Sequence, residues 1–294
     1  MNIAFIGLGR MGWPMAAHLS ADAGQHALSV FDLDRQLGQR WQKENGGEHG
    51  GRLADSIADA VSNAQLILSS LPADDALLSV LAQAEDSIRA GAVWIDHSTT
   101  SARAAKEVAD RLNRNQVDFI DAPVSGGVDG ARAGTLTVMA GGEESAFERM
   151  KPVLEVYAAR LTHMGGSGAG QITKMTNQIC VVGLCQALAE GLDFASRAGL
   201  DTDKVVQVML QGSSASWQMR NRASQMLAGE YDFGFSTALM RKDIGLVLEE
   251  ARAMSASLPV TALVDQFLAD VDAMGGRQWD WCSLMERQRR FASD

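Results

Sequence analysis

In "GAGQITKMTNQ", residues 168–178, Lys174 falls just inside a long run of small and apolar residues that reads as a helix buried around most of its girth. Asn177 and Gln178 follow at i+3 and i+4, on the same face. An ammonium beside two amides suits a substrate that carries a carbonyl or hydroxyl oxygen and further polar groups. The competing reading is a lysine whose stem packs while its charge snorkels to solvent. A second constellation opens the chain. "IAFIGLGRMGWPMAAHL" supplies Gly7-x-Gly9-x-x-Gly12 directly after a strand and before a helix. That context is what a dinucleotide needs: a tight turn at Gly7, close backbone approach to the pyrophosphate at Gly9, and close helix–strand packing at Gly12. The free N–H groups of the helix start then meet the phosphates. Asp32 stands at the end of the second strand, where an acidic group can hydrogen-bond the ribose hydroxyls and would repel a 2′-phosphate. This favours NAD, with Arg35 nearby as the feature that keeps NADP open.

The third constellation is "DAPVSGG", which follows the fifth apolar run and places Ser125, Gly126 and Gly127 at a C-terminal strand end. A hydroxyl with consecutive glycine N–H groups can form a small nest for a carboxylate. An ordinary Gly-Gly turn is the alternative. Fingerprint, nest and lysine occur in the order that a hydride-transfer enzyme needs.

The elements that must position these residues are legible as an alternation. Short β-rich runs at 3–6, 28–31, 66–71, 93–96, 119–122 and 136–140 are separated by polar–apolar helical stretches, the pattern of βαβ units and a mostly parallel sheet. After Gly165 the texture becomes helical and stays so to the end. The expected fold is α/β: an N-terminal Rossmann-like parallel-sheet domain, residues 1–163, followed by an all-helical domain, residues 164–294, for substrate and oligomerisation. The glycine cluster Gly46-Gly47 with Gly50-Gly51 reads as a surface loop.

The chain as a whole narrows the partners. Its 294 residues are enough for about two domains. A formal net charge of -10, with short basic clusters only near Arg220 and Arg287 to Arg290, argues against nucleic acid or an anionic membrane as partner. No uninterrupted apolar run reaches the roughly 18 residues of a membrane span, and no basic n-region precedes Ile3, so no secretory signal is expected. The three cysteines, Cys180, Cys185 and Cys282, lack the spacing of a zinc site and read as reduced, buried thiols of a cytoplasmic protein. No metal is expected.

Taken together, the motifs resemble those of the β-hydroxyacid dehydrogenase family, which includes 3-hydroxyisobutyrate dehydrogenase and tartronate semialdehyde reductase and is related to 6-phosphogluconate dehydrogenase. The resemblance runs over nearly the whole chain through "FIGLGRMGWPM", Leu71-Pro72, "IDHST" at 95–99, "DAPVSGG", "GAGQITKMTNQ" and Lys242-Asp243. It implies an active site in the cleft between the two domains and Lys174 as the catalytic lysine. Ser125, Gly126 and Gly127 would hold the substrate carboxylate, with Asn177 and Gln178 completing the substrate set. The cofactor set would be Gly7, Leu8, Gly9, Arg10, Met11, Gly12, Asp32, Leu71 and Pro72, with Thr99 and Lys242 at the nicotinamide end. A small carboxylate substrate, NAD and a homodimer or homotetramer are expected.

Gln178 stands where many family members have Asn, and Asn177 precedes it. This pairing, with "LPVTALV" at 258–264, resembles the tartronate semialdehyde reductase branch. Trp217, Trp279 and Trp281 are not features of that branch. Trp217 is read either as core or dimer packing or as a wall of the substrate pocket. For base catalysis, Lys174 would have to titrate well below the ~10.4 of a free lysine, through desolvation and the positive nicotinamide. A purely electrostatic role, holding the developing alkoxide, is the other option. Neither Tyr157 nor Tyr231 is followed four positions later by lysine, so the Tyr-x-x-x-Lys solution of short-chain dehydrogenases is missing. Two alternatives stand beside the dehydrogenase: a catalytically silent dinucleotide-binding module, and an imine-reductase-like enzyme, which would generally lack a lysine at this place.

Overall fold

The structure is a computed structural model that describes residues 1–22, 26–46 and 51–291. The glycine loop read at 46–51 falls largely on residues 47–50, outside the described residues. The chain forms two compact units, Met1–Lys174 and a second from Met175 onward. The division therefore falls later than the 163/164 boundary read from the sequence. The reason is local: a strand continues to Gly165, and the turn after it is fastened into the first unit.

In the first unit the order is β1 (Asn2–Ile6), α1 (Gly12–Ala21), β2 (Ala27–Phe31), α2 (Arg35–Asn45), β3 (Arg52–Leu53), α3 (Ile57–Val61), β4 (Leu66–Ser69), α4 (Asp74–Ala84), β5 (Val93–Asp96), α5 (Ala102–Asn113), β6 (Asp118–Asp121), β7 (Val124–Ser125), α6 (Gly127–Ala133), β8 (Leu136–Gly142), α7 (Glu144–Leu154) and β9 (Ala158–Gly165). The strands form one sheet in the order β3-β2-β1-β4-β5-β6-β8-β7, with β9 on β8. From β3 to β6 all neighbours are parallel, while β8 runs antiparallel to β6 and β7. The order reverses between β1 and β4, so the loop after β1 opens at the switch point where such sheets bind ligands.

Successive side chains of a strand point to opposite faces, and both faces here are covered. Ile3, Phe5, Leu66, Leu68, Val93 and Ile95 pack into one core, and Ala4, Ile6, Ile67 and Trp94 into the other. Strands buried on two sides are apolar throughout rather than alternating, which is why these runs stand out in the sequence. β9 does not: it lies outside the main strand path, on β8, with Arg160, Thr162 and Met164 exposed.

The long helix α8 (Ala169–Arg197) begins in the first unit and continues into the second, which adds α9 (Thr202–Met209), α10 (Trp217–Ala228), α11 (Thr237–Ala253), α12 (Pro259–Val271) and α13 (Leu284–Phe291). Ile244, Val247, Val264, Leu268, Trp281 and Leu284 are among its buried residues. The isolated bridge Ser236–Asp280 is its one strand-like pairing among the described residues. The helix α8 corrects two expectations. It is not buried around most of its girth: Cys180, Leu184, Ala187, Gly191 and Phe194 form one outward stripe, with Leu184 47% and Phe194 77% exposed. Cys180 is accordingly an exposed thiol, while Cys185 and Cys282 are buried. By length and composition α8 is also long and apolar enough to cross a membrane, and 44% of its apolar stretch is buried in protein. The uninterrupted-run criterion passes over it because Lys174, Gln178 and Gln186 break the run.

Candidate active site

The loop after β1 is shaped by its glycines. Gly7 has φ +93, and a Cβ there would run into the Ser70 carbonyl. A Cβ on Gly12 would collide with the Gly7 carbonyl, whereas a Cβ on Gly9 would meet nothing within 4 Å. The loop is therefore tight at its ends and open at Gly9. No side chain caps the start of α1 at Met11, so the helix keeps donors for phosphate oxygens. Asp32 follows β2 and accepts the Leu8 N–H on Oδ2 at 2.6 Å and the Asp34 N–H on Oδ1 at 2.8 Å. It braces the loop while remaining half-buried and open to further donors. Arg35 pairs with Asp55 at 2.9 Å. These residues fit the adenosine and diphosphate portions of a nicotinamide dinucleotide.

At the ends of β4 and β5 a buried carboxylate organises the next two segments. Asp96 Oδ1 accepts the hydroxyls of Ser69 and Ser98, each at 2.6 Å, and the Ser98 hydroxyl accepts the Leu71 N–H at 2.7 Å. Leu71-Pro72 and the segment carrying Thr99 are thus tied to one group. Gln171, fully buried in the first turn of α8, accepts the Thr100 N–H at 3.1 Å and donates to the Ser98 carbonyl at 2.9 Å, spanning Thr99.

Lys174 lies one turn further along α8 and is 9% exposed. A snorkelling lysine would be far more open, so that reading fails. Ser125 is the last residue of β7, which pairs antiparallel to β8. Gly126 and Gly127 follow with φ +125 and +63, backbone conformations that favour glycine.

In the second unit, Asn177 donates to Gln178 Oε1 at 2.9 Å, and Gln178 donates to Asp243 Oδ2 at 2.7 Å. Lys242 forms an ion pair with Asp243 Oδ1 at 2.9 Å. Trp217 starts α10 with its ring over Arg222, 4.9 Å away, and is 57% exposed, which removes the core-packing reading. Trp281 is buried core, and Trp279 leans on Tyr231 with ring centroids 5.7 Å apart. Sequence reasoning assigned no role to Asp96, Ser98, Asp121, Gln171 or Asp243. All five lie inside the motifs themselves, Asp96 and Ser98 in "IDHST", Asp121 in "DAPVSGG", Gln171 in "GAGQITKMTNQ" and Asp243 beside Lys242.

A mostly parallel sheet with a glycine loop at its switch point, a carboxylate beyond β2 and a buried lysine near the start of the long helix α8 define a nicotinamide-dinucleotide-dependent oxidoreductase. The comparisons agree. Residues 2–166 match the family described as the NAD binding domain of 6-phosphogluconate dehydrogenase, and residues 168–287 that described as NAD-binding of NADP-dependent 3-hydroxyisobutyrate dehydrogenase. The chain is 35% identical over 297 residues to 2-hydroxy-3-oxopropionate reductase of Escherichia coli, covering 100% of this chain and 99% of the relative. It is 38% identical over 285 residues to 3-hydroxyisobutyrate dehydrogenase of Pseudomonas aeruginosa, covering 89% of each. The structure of Mycobacterium tuberculosis 3-hydroxyisobutyrate dehydrogenase with L-serine aligns at a TM-score of 0.90 with 30% identity, over 98% of this chain and 99% of that one. The chain belongs to the β-hydroxyacid dehydrogenase family. It is an enzyme of NAD(P)-dependent hydroxy acid chemistry.

Proposed function

We propose that this enzyme interconverts a small hydroxy acid and its semialdehyde with NAD(H), the nearest substrates being those of tartronate semialdehyde reductase and 3-hydroxyisobutyrate dehydrogenase. The observation that carries this is Lys174, buried at the start of α8, with Asn177 and Gln178 following along the helix. NAD, when bound, supplies the hydride acceptor. In the oxidation direction the neutral amine of Lys174 takes the hydroxyl proton, and in reduction its ammonium returns that proton to the carbonyl oxygen. Ser125, Gly126 and Gly127 hold the substrate carboxylate, while Asn177 and Gln178 hold its remaining oxygens. Thr99 and Lys242 serve the nicotinamide end, and Leu71 and Pro72 line the cofactor's path.

Asp32 supports NAD over NADP, while Arg35 stands in an exposed ion pair with Asp55. The outward apolar stripe of α8 from Cys180 to Phe194 supports a homodimer or homotetramer, since a stripe of this kind is normally covered. The helical domain thus serves substrate binding and oligomerisation. Unpaired thiols at all three cysteines support a reducing, cytoplasmic setting.

The test is Lys174→Ala. Loss of a positioned acid/base should lower kcat by at least ~10² while the NADH Kd stays unchanged. A loss under threefold would remove Lys174 from the chemistry.

A further inference from the structure

Asp121 closes β6, and its side chain ends on the first turn of the helix that carries Lys174. Oδ1 accepts the Gly168 N–H at 2.7 Å and Oδ2 accepts the Gln171 N–H at 2.9 Å. These belong to the donors at a helix start that the helix itself cannot satisfy, and a negative group there also meets the positive end of the helix dipole. The seat is cut to fit. A Cβ on Gly141 would lie 2.6 Å from the Gly170 nitrogen and 2.7 Å from Oδ1, and a Cβ on Gly170 would run into the Met139 carbonyl oxygen and lie 2.8 Å from Oδ2, so glycine at both places lets β8 and α8 close around the carboxylate. The Gln171 side chain provides the second tie, to Thr100 and Ser98. One helical turn is thereby fastened to β6 by a carboxylate and to the Thr99 segment by an amide, and Lys174 follows three residues on, a rise of about 4.5 Å.

We propose that Asp121 is a positioning residue: its carboxylate fixes the start of α8 and thereby the approach of the Lys174 nitrogen to the substrate oxygen. The proposal rests on the reading of Lys174 as the proton carrier. A serine or asparagine would cap a helix without the cost of burying a charge. Burial pushes the Asp121 carboxyl up to about 7, against the N–H groups of Gly168 and Gln171, with Asp96 on β5 adding to the rise. Protonation replaces one acceptor by an O–H that faces an N–H donor, so the clamp slackens as pH falls through neutrality. Lys106 on α5 brings its stem beside Gly168, and Lys174 follows three residues after Gln171 on α8. His97 at the end of β5 stays neutral, with burial lowering it to about 4. Arg149 on α7 is engaged with Asp118 at the opposite end of β6.

The experiment compares wild type, Asp121→Asn and Lys174→Ala in the reduction direction from about pH 6 to about pH 9, with NADH affinity by fluorescence and a melting curve for each. Wild type should show an acid limb near neutrality, in addition to any basic limb from Lys174. Asp121→Asn should lower kcat at least ~10-fold on the alkaline side, keep NADH Kd within about twofold, and lose the acid limb. An Asp121→Asn enzyme with wild-type kcat, or with the acid limb retained, overturns the proposal while leaving Lys174 in place, provided Lys174→Ala is inactive. An active Lys174→Ala overturns the underlying reading instead. If Asp121→Asn does not fold, the wild-type profile decides: a rate flat from pH 8 to pH 6 refutes the clamp, and a neutral acid limb supports it.

Discussion

Gln178 donates to one oxygen of the buried Asp243 carboxylate at 2.7 Å, and the Lys242 ammonium lies 2.9 Å from the other, so one acid orients two residues with different expected duties. Removing its charge should affect both. In Asp243→Asn one carboxylate oxygen becomes an N–H donor facing either an amide donor or an ammonium, and each lost hydrogen bond to a buried group costs roughly 1–3 kcal/mol. The expected result is a fall in kcat/KM of about one to two decades. It should be divided between a raised substrate KM, through Gln178, and a weakened NADH Kd, through Lys242. Steady-state kinetics with a fluorescence titration separate the two. A change confined to thermal stability would show that Asp243 only holds α8 and α11 together.

Asp32 gives a prediction that the sequence alone would have put differently. Its Oδ2 already accepts the Leu8 N–H, so removing the side chain disturbs the glycine loop as well as the ribose site. Asp32→Asn keeps an acceptor for Leu8 and removes the repulsion of a 2′-phosphate. It should bring NADP turnover closer to that of NAD mainly through KM for NADP. Asp32→Ala should raise KM for both cofactors, because the loop loses its brace. Parallel NAD and NADP kinetics on the two variants check this. Wild type using NADP as well as NAD would contradict the assignment of Asp32.

What was readable in the sequence follows from how far each relationship reaches along the chain. The strands 3–6, 66–69 and 93–96 are apolar on both sides because both sides are covered, and that is visible as composition. The glycine loop is a local solution to a local need and was equally plain. β9 does not stand out because Ala158 is its only buried residue, so it lacks the apolar run of the central strands. Asp121 appeared only as an acid before Ala-Pro, since its partners Gly168 and Gln171 are 47 and 50 residues away and meet it only when α8 docks on the end of β6. Lys242-Asp243 is visible as an adjacent pair, but the use of Asp243 by Gln178, 65 residues distant, is not. The apolar character of α8 was read as burial within one chain, where the structure leaves a stripe of it on the surface.

Two buried groups on neighbouring strand ends should oppose each other in the pH dependence of stability. His97 Nδ1 donates to the Ala122 carbonyl at 2.7 Å, so Nε2 accepts the Tyr157 hydroxyl at 2.8 Å and the ring is neutral. Burial lowers it to about 4 from 6.5. Between those values the unfolded chain binds a proton that the folded chain refuses, so stability falls as pH falls. Asp121 is raised to about 7, so over the same range the folded chain holds a proton that the unfolded chain has lost, and stability rises as pH falls. Each contributes about 1.4 kcal/mol per pH unit, with opposite sign. Wild type should therefore show little net effect from this pair between pH 6.5 and pH 5. Asp121→Asn, stripped of the compensating group, should lose about 2 kcal/mol relative to wild type over that interval. Denaturant titrations of both proteins at the two pH values measure it, and parallel losses would contradict the opposition.

The tryptophans can now be told apart by their surroundings. Trp281 is 4% exposed in the helical core, so Trp281→Ala should cost ~3–5 kcal/mol of stability. Trp217 is 57% exposed and rests on the Arg222 guanidinium, which also stacks on Phe233 at 4.9 Å and pairs with the buried Asp280 at 3.5 Å. Its substitution by alanine removes an exposed cation–π contact worth ~0.5–1 kcal/mol and little else of the chain's own packing. A large aromatic ring held in place at a helix start, yet open on one side, suits contact with a ligand or a second copy of the chain. If Trp217 walls the pocket, Trp217→Ala should accept longer hydroxy acids and lose rate on the native one, with its melting temperature nearly unchanged. The measurement is a chain-length series on wild type and variant, run with gel filtration. An unchanged ranking together with a shift to a smaller assembly would assign Trp217 to the subunit interface instead.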